Sequence, residues 1–145
     1  TTNHFESALR DDPKSLRVGE STSTLPRRAR GDRLLADLPA TARVTPLDAA
    51  RFLRDRSAAD GSPLPLGDRR AINALIATHG VILQTGARLL WVSESPHLLG
   101  HFRAFDLRRL LAADYDPDHD AESIEALPED ELLTSGRYAE WEKSR

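Results

Sequence analysis

The sequence predicts an α+β fold, an antiparallel sheet with helices packed against it. Three observations carry that expectation. "HGVILQ" and "RLLWVS" are two β-rich runs joined by the short Gly-containing stretch "TGA", a hairpin signal. "HFRAFDL" follows as a third run of the same kind. Upstream, Thr45 stands in front of Pro46 with Asp48 three residues on, a helix start with a capping residue, proline at the first helical position and an acidic first turn.

The elements follow in chain order. Thr1–Phe5, "TTNHF", reads as a short strand. Glu6–Ser23 is polar and carries Asp11, Asp12, Pro13 and Gly19, so it reads as a loop. Arg27–Leu38 predicts a short helix closed by Pro39. The helix beginning at Thr45 gains an apolar face from Ala49, Phe52 and Leu53. Asp48 supplies a weak capping box, since Glu or Gln is usual at its position. "SAADGSPLPLG", Ser57–Gly67, has two prolines and two glycines and ends that helix. Ala71–Ile76 predicts a helical turn. The strands then run through Val81–Gln84 and Arg88–Val92, the second apolar on both parities and so expected to be covered on both faces. "HFRAFDL" turns into a short helix over Arg108–Ala113. Residues 1–113 form the main domain in this reading. Residues 114–145 are an acidic, partly helical extension, with Tyr138 and Trp141 spaced to dock a terminal helix. The acidic run through "DYDPDHDAESIEALPEDE" reads as a solvated cover segment.

Bulk composition excludes several classes. The chain has 145 residues, is 39% hydrophobic and carries a net charge of −3. That is enough apolar material for a core and no electrostatic footprint for nucleic acid. No apolar run approaches the roughly 18 residues that span a bilayer. There is no cysteine, which removes disulfides, thiolate–metal sites and a cysteine nucleophile from this chain and leaves the compartment unindicated.

Candidate chemistry narrows in the same way. His97 and His101 have the i, i+4 spacing of two ligands on one helix face, but Pro96 and Gly100 place them in a turn, and no Glu follows His97. Asp116, Asp118 and Asp120 alternate as in a calcium loop, yet Ala121 stands where glycine is required. No metal and no cofactor is expected. Ser93, Ser95, His79 and His97 lack a Gly-x-Ser-x-Gly elbow, and His79 reads as a hydrogen-bonded core histidine opening a strand. Asn3 differs. An Asn amide at a strand end can donate to a developing oxyanion, a role worth roughly 3–4 kcal/mol in acyl transfer.

"TNHF", a Ser/Thr-x-x-Arg element in "STLPRR" and the block "INALIATHGVILQ…RLLWVSESPHLLGHFRAFDL" together resemble the C-terminal half of the penicillin acyltransferase and choloylglycine hydrolase group. These are N-terminal-nucleophile (Ntn) hydrolases of linear amide C–N bonds. The resemblance covers Thr1 to about Leu107, and the block from Ala71 is its most specific part. It implies an αββα sandwich. It also implies an N-terminal cysteine, exposed by self-cleavage, that attacks the amide with its own α-amine as base. On this resemblance Asn3 holds the oxyanion, and Arg27, or its neighbour Arg28, orients the site. This chain departs by having no cysteine, so the nucleophile is expected on an upstream segment or chain, with a small-molecule acyl-amide as substrate. The opening "TTNHF", without Met, agrees with a fragment or a processed subunit. Thr1 as an alternative nucleophile stands only two residues before Asn3, leaving little room for a carbonyl between them. The competing expectation is a non-catalytic binding or scaffold protein on the same fold.

Overall fold

The structure, a computed structural model, describes residues 7, 9–116 and 124–145. The predicted strand Thr1–Phe5 lies outside them. The chain divides into two compact units, one of Thr1–Arg43 with Asp55–Ala74 and one of Val44–Arg54 with Leu75–Arg145.

Two helices open the first unit, α1 (Pro13–Ser21) and α2 (Thr24–Ala36). Helix α1 corrects the expected loop over Glu6–Ser23. Asp12 accepts from the Lys14 amide at 2.9 Å and Pro13 takes the first helical position, the same start signal as at Thr45–Pro46. Gly19 looks like a helix breaker in sequence, yet it lets α2 approach: a Cβ there would lie 3.3 Å from Leu25 Cδ1. Helix α2 begins three residues before the expected Arg27 and ends two before Leu38, short of Pro39. The stretch 55–74 is a loop held by the Ser57–Pro63 bridge, with Gly61 and Gly67 at φ 90° and 83°.

The second unit opens with α3 (Pro46–Leu53). Its capping box is complete: the Asp48 amide donates to Thr45 Oγ1 at 3.2 Å and the Thr45 amide donates to Asp48 Oδ2 at 3.0 Å. The strands β1 (Val81–Gln84), β2 (Leu89–Ser93) and β3 (Phe102–Asp106) form one antiparallel sheet in the order β1-β2-β3. The hairpin is where the sequence puts it, with one difference. Arg88 lies in the turn at φ 58° rather than in the strand, and Gln84 pairs directly with Leu89. Ala71–Ile76 is not the expected helical turn. The Asn73 amide is drawn to the Asp55 carbonyl at 2.9 Å, and Leu75 turns left-handed at φ 52°.

Strand alternation sorts the sheet into two faces. The inner row Ile82–Trp91–Ala104 is buried and packs with Phe102, Leu98 and Ala50, with Ala49 and Leu53 of α3 against them. Fully burying a side chain such as Phe102 contributes about 2–3 kcal/mol. The outer face carries the rows Val81–Val92–Arg103 and Leu83–Leu90–Phe105. Coverage on both sides of β2 was expected, and here the outer face is only partly covered: Leu90 and Val92 are half-buried, while Val81 and Leu83 are 49% and 57% exposed.

After β3 come α4 (Leu107–Leu110), then α5 (Glu131–Thr134) and α6 (Arg137–Lys143). Within the described part of the acidic stretch, Leu127 bridges to Phe102 and Asp130 is buried, so that part is more than a solvated cover. Beyond it, Leu132 and Tyr138 are buried. Tyr138 packs on Trp141 with ring centroids 5.8 Å apart.

Candidate functional site

The Arg expected to orient a site lies in the first turn of α2. Arg27 is half-buried, and its Nε donates to the Ser23 carbonyl one turn back at 3.3 Å. Its neighbour Arg28 behaves differently: its Nε reaches both carboxylate oxygens of Asp32 at 2.8 Å on the helix surface. An exposed i, i+4 pair of this kind contributes little. Of the two, Arg27 is the one whose side chain is not engaged by a neighbouring carboxylate among the described residues. Asn3, the expected oxyanion donor, and Thr1 lie outside those residues.

One turn along α2, Arg30 makes a part-buried bidentate contact. Its Nε and Nη2 meet the Asp55 carboxylate at 3.0 and 2.8 Å, with side chains only 12% and 14% exposed. The Asp55 hydrogen bond, ahead of its charge, raises the Arg30 pKa further above its ordinary value. Asp55 also accepts from the Ser57 amide at 3.0 Å. This bidentate pair fixes the helix that carries Arg27 to the loop that follows Asp55.

In the second unit, Arg54 is the residue that sequence reasoning passed over. It is 7% exposed, and its guanidinium donates to three backbone carbonyls: Leu98 at 2.8 Å, Gly100 at 2.6 Å and Pro128 at 2.9 Å. It also stacks over Phe102, 5.2 Å from the ring centroid. The Leu98 and Gly100 carbonyls belong to a turn in which His97 and Leu98 both have positive φ, 46° and 70°. Such conformations persist where surrounding contacts hold them, and Arg54 supplies those contacts. No sequence signal marks this role, because backbone carbonyls have no residue identity.

The turn also separates the two histidines. His97 Nδ1 lies 3.2 Å from the Ala77 carbonyl, with its ring edge-on to Tyr138. His101 Nδ1 lies 3.5 Å from both Glu94 and Glu129 carboxylates. Helical i, i+4 convergence is lost because the backbone between them is not helical. Among the described residues, no group of three or more His, Asp or Glu could hold a metal ion. Asp118, Asp120 and Ala121 lie outside them. His79 is exposed, beside Thr78 Oγ1 at 3.1 Å, and precedes the first strand, which corrects its reading as a core residue. Ser93 is buried framework: its Oγ accepts from the Gly80 amide at 2.7 Å and its amide donates to the Gly80 carbonyl at 2.9 Å. Trp91 is a sheet residue whose Nε1 donates to Gln84 at 3.3 Å. No helix among the described residues is long and apolar enough to cross a membrane.

Comparison of the chain with protein-family models, with curated proteins and with solved structures finds no match.

Proposed function

We propose that this chain supplies the oxyanion and framework part of an amide hydrolase or acyltransferase for linear C–N bonds. Its cysteine nucleophile is carried by a segment outside this sequence. One observation carries the reading: the sheet has α3 on one face and apolar rows on the other. Val81, Leu83, Leu90, Val92 and Phe105 offer no hydrogen-bonding side chain on that outer face. Arg103, the one charge there, is paired with Glu94 at 2.8 Å. A helix–sheet layer with such an outer face suits a second sheet packed about 10 Å away. That is the αββα arrangement implied by the resemblance of Ala71–Leu107 to Ntn hydrolases. In it, Asn3 donates to the oxyanion, Arg27 orients the site, and Ala71–Leu107 is framework.

The test is to express the whole gene and determine the intact masses and N-terminal sequences of its products, then assay a panel of chromogenic acyl-amides. The reading expects a chain beginning with cysteine and measurable turnover. Asn3→Ala should lower kcat by about 10²–10³ with the fold retained, since one oxyanion donor is lost. Products with no N-terminal cysteine and no turnover would leave the alternative, a binding or scaffold protein on the same architecture. Turnover by this chain alone, lost in Thr1→Ala, would move the nucleophile to Thr1.

A further inference from the structure

Beyond the strand ends, where the hairpin turn faces α4, an open groove of about 420 Å³ is lined by Leu83, Thr85, Arg88, Leu107, Arg108 and Leu111. Its floor is apolar and open to water, with Leu111 81% exposed. Among the described residues, no acidic side chain lines it. The two cations on its rim are not equivalent. Arg108 is committed to Asp106, through Nε at 3.1 Å and Nη2 at 3.0 Å. Arg88 has a fixed backbone: its amide donates to Thr85 at 3.2 Å and its carbonyl accepts from Leu107 at 2.9 Å. Its guanidinium makes no hydrogen bond to the described residues, and it acts on Asp106 only through its charge. Two cations thus share one carboxylate, leaving one positive charge beside an apolar trough.

The geometry points to a binding site for an unbranched acyl carboxylate, its tail lying over Leu83, Leu107 and Leu111 and its carboxylate meeting Arg88. The apolar floor selects the tail, and the uncompensated cation selects a monoanion over a neutral amphiphile. The site shares only Leu83 with the outer sheet face of the amide-hydrolysis reading. The other lining residues lie in the turn, in α4 and, for Leu111, at its C-cap.

The protein is titrated with octanoate, decanoate and decanol below their micellar ranges, following backbone amide shifts by NMR and affinity by calorimetry. Decanoate should shift residues 83–88 and 107–111. Each added methylene should tighten binding by up to about fourfold. Arg88→Gln should weaken decanoate by about two- to fivefold, the range for an exposed ion pair, and leave decanol unchanged. Leu111→Ser should weaken both. Arg88 is exposed, so the melting temperature of Arg88→Gln should match that of the parent. Failure of decanoate to bind, shifts confined to other residues, or equal decanoate affinity before and after Arg88→Gln would overturn the proposal. Loss of amide hydrolysis in the whole protein, with this binding intact, would count against the earlier reading alone.

Discussion

Gly100 shows how one side chain's absence shapes a turn. A Cβ built there would stand 2.6 Å from the Ser95 carbonyl oxygen and 2.9 Å from Glu94 Cβ. The oxygen belongs to the backbone and cannot swing away. The Gly100 carbonyl is also one of the three that receive Arg54, so any shift of the turn disturbs that contact. Gly100→Ala should therefore cost about 3 kcal/mol, read as a lowered midpoint in denaturant titration. An unchanged midpoint would mean that the turn relaxes more easily than its packing indicates. Asp48 is a second case in which one residue sets a measurable property. The Thr45 hydroxyl first, then the Thr45 amide, hold its carboxyl below 3.8. The folded pKa lies below the unfolded one, so its contribution is present above about pH 4 and is lost as pH falls through the folded value. Thermal stability should decline on acidification in that window, and the decline should shrink in Asp48→Asn.

At the scale of elements, legibility in the sequence followed the range of the interactions. The start of α3 and the β1–β2 hairpin were legible because their determinants are local: a capping box within four residues and a Gly-containing turn between β-rich runs. Helix α1 was obscured by its polarity and by Gly19, whose value emerges only once Leu25 of α2 packs on it. Arg88 read as a strand residue because its left-handed φ follows from the turn's closure rather than from its own chemistry. Arg54 was illegible for a stronger reason. Its partners lie 44, 46 and 74 residues away and are peptide carbonyls, which any sequence supplies. Asn3 was singled out first as a strand-end amide and then by resemblance, Arg27 by resemblance alone, and of the two only Arg27 falls among the described residues. Replacing the local cap tests the same logic from below. Thr45→Ala should cost about 1 kcal/mol and loosen the first turn of α3, seen as faster amide exchange at Asp48, with β1–β3 unaffected.

At the scale of the whole chain, one of the three crossings between the two compact units falls between Arg54 and Asp55. The guanidinium of the first is held by carbonyls of its own unit, and the carboxylate of the second by Arg30 of its own unit. Removing one partner of a largely buried ion pair such as Arg30–Asp55 costs about 3–5 kcal/mol, and each buried carbonyl left unsatisfied at Arg54 costs about 1–3 kcal/mol. Arg54→Met should accelerate hydrogen exchange in residues 98–104 while leaving 56–73 near their parental rates. Asp55→Asn should do the converse. Equal acceleration everywhere in both variants would show that the units open as one. Two neighbouring side chains of opposite sign, which in sequence look like a local ion pair, are thus each spent on a different compact unit. A residue inserted between them would lengthen the connection without severing either anchor, whereas exchanging the two would strand a carboxylate among carbonyl oxygens and a guanidinium against Arg30. The order Arg-Asp at this junction is a polarity of the chain itself, with each side chain anchored in the unit to which its own backbone belongs.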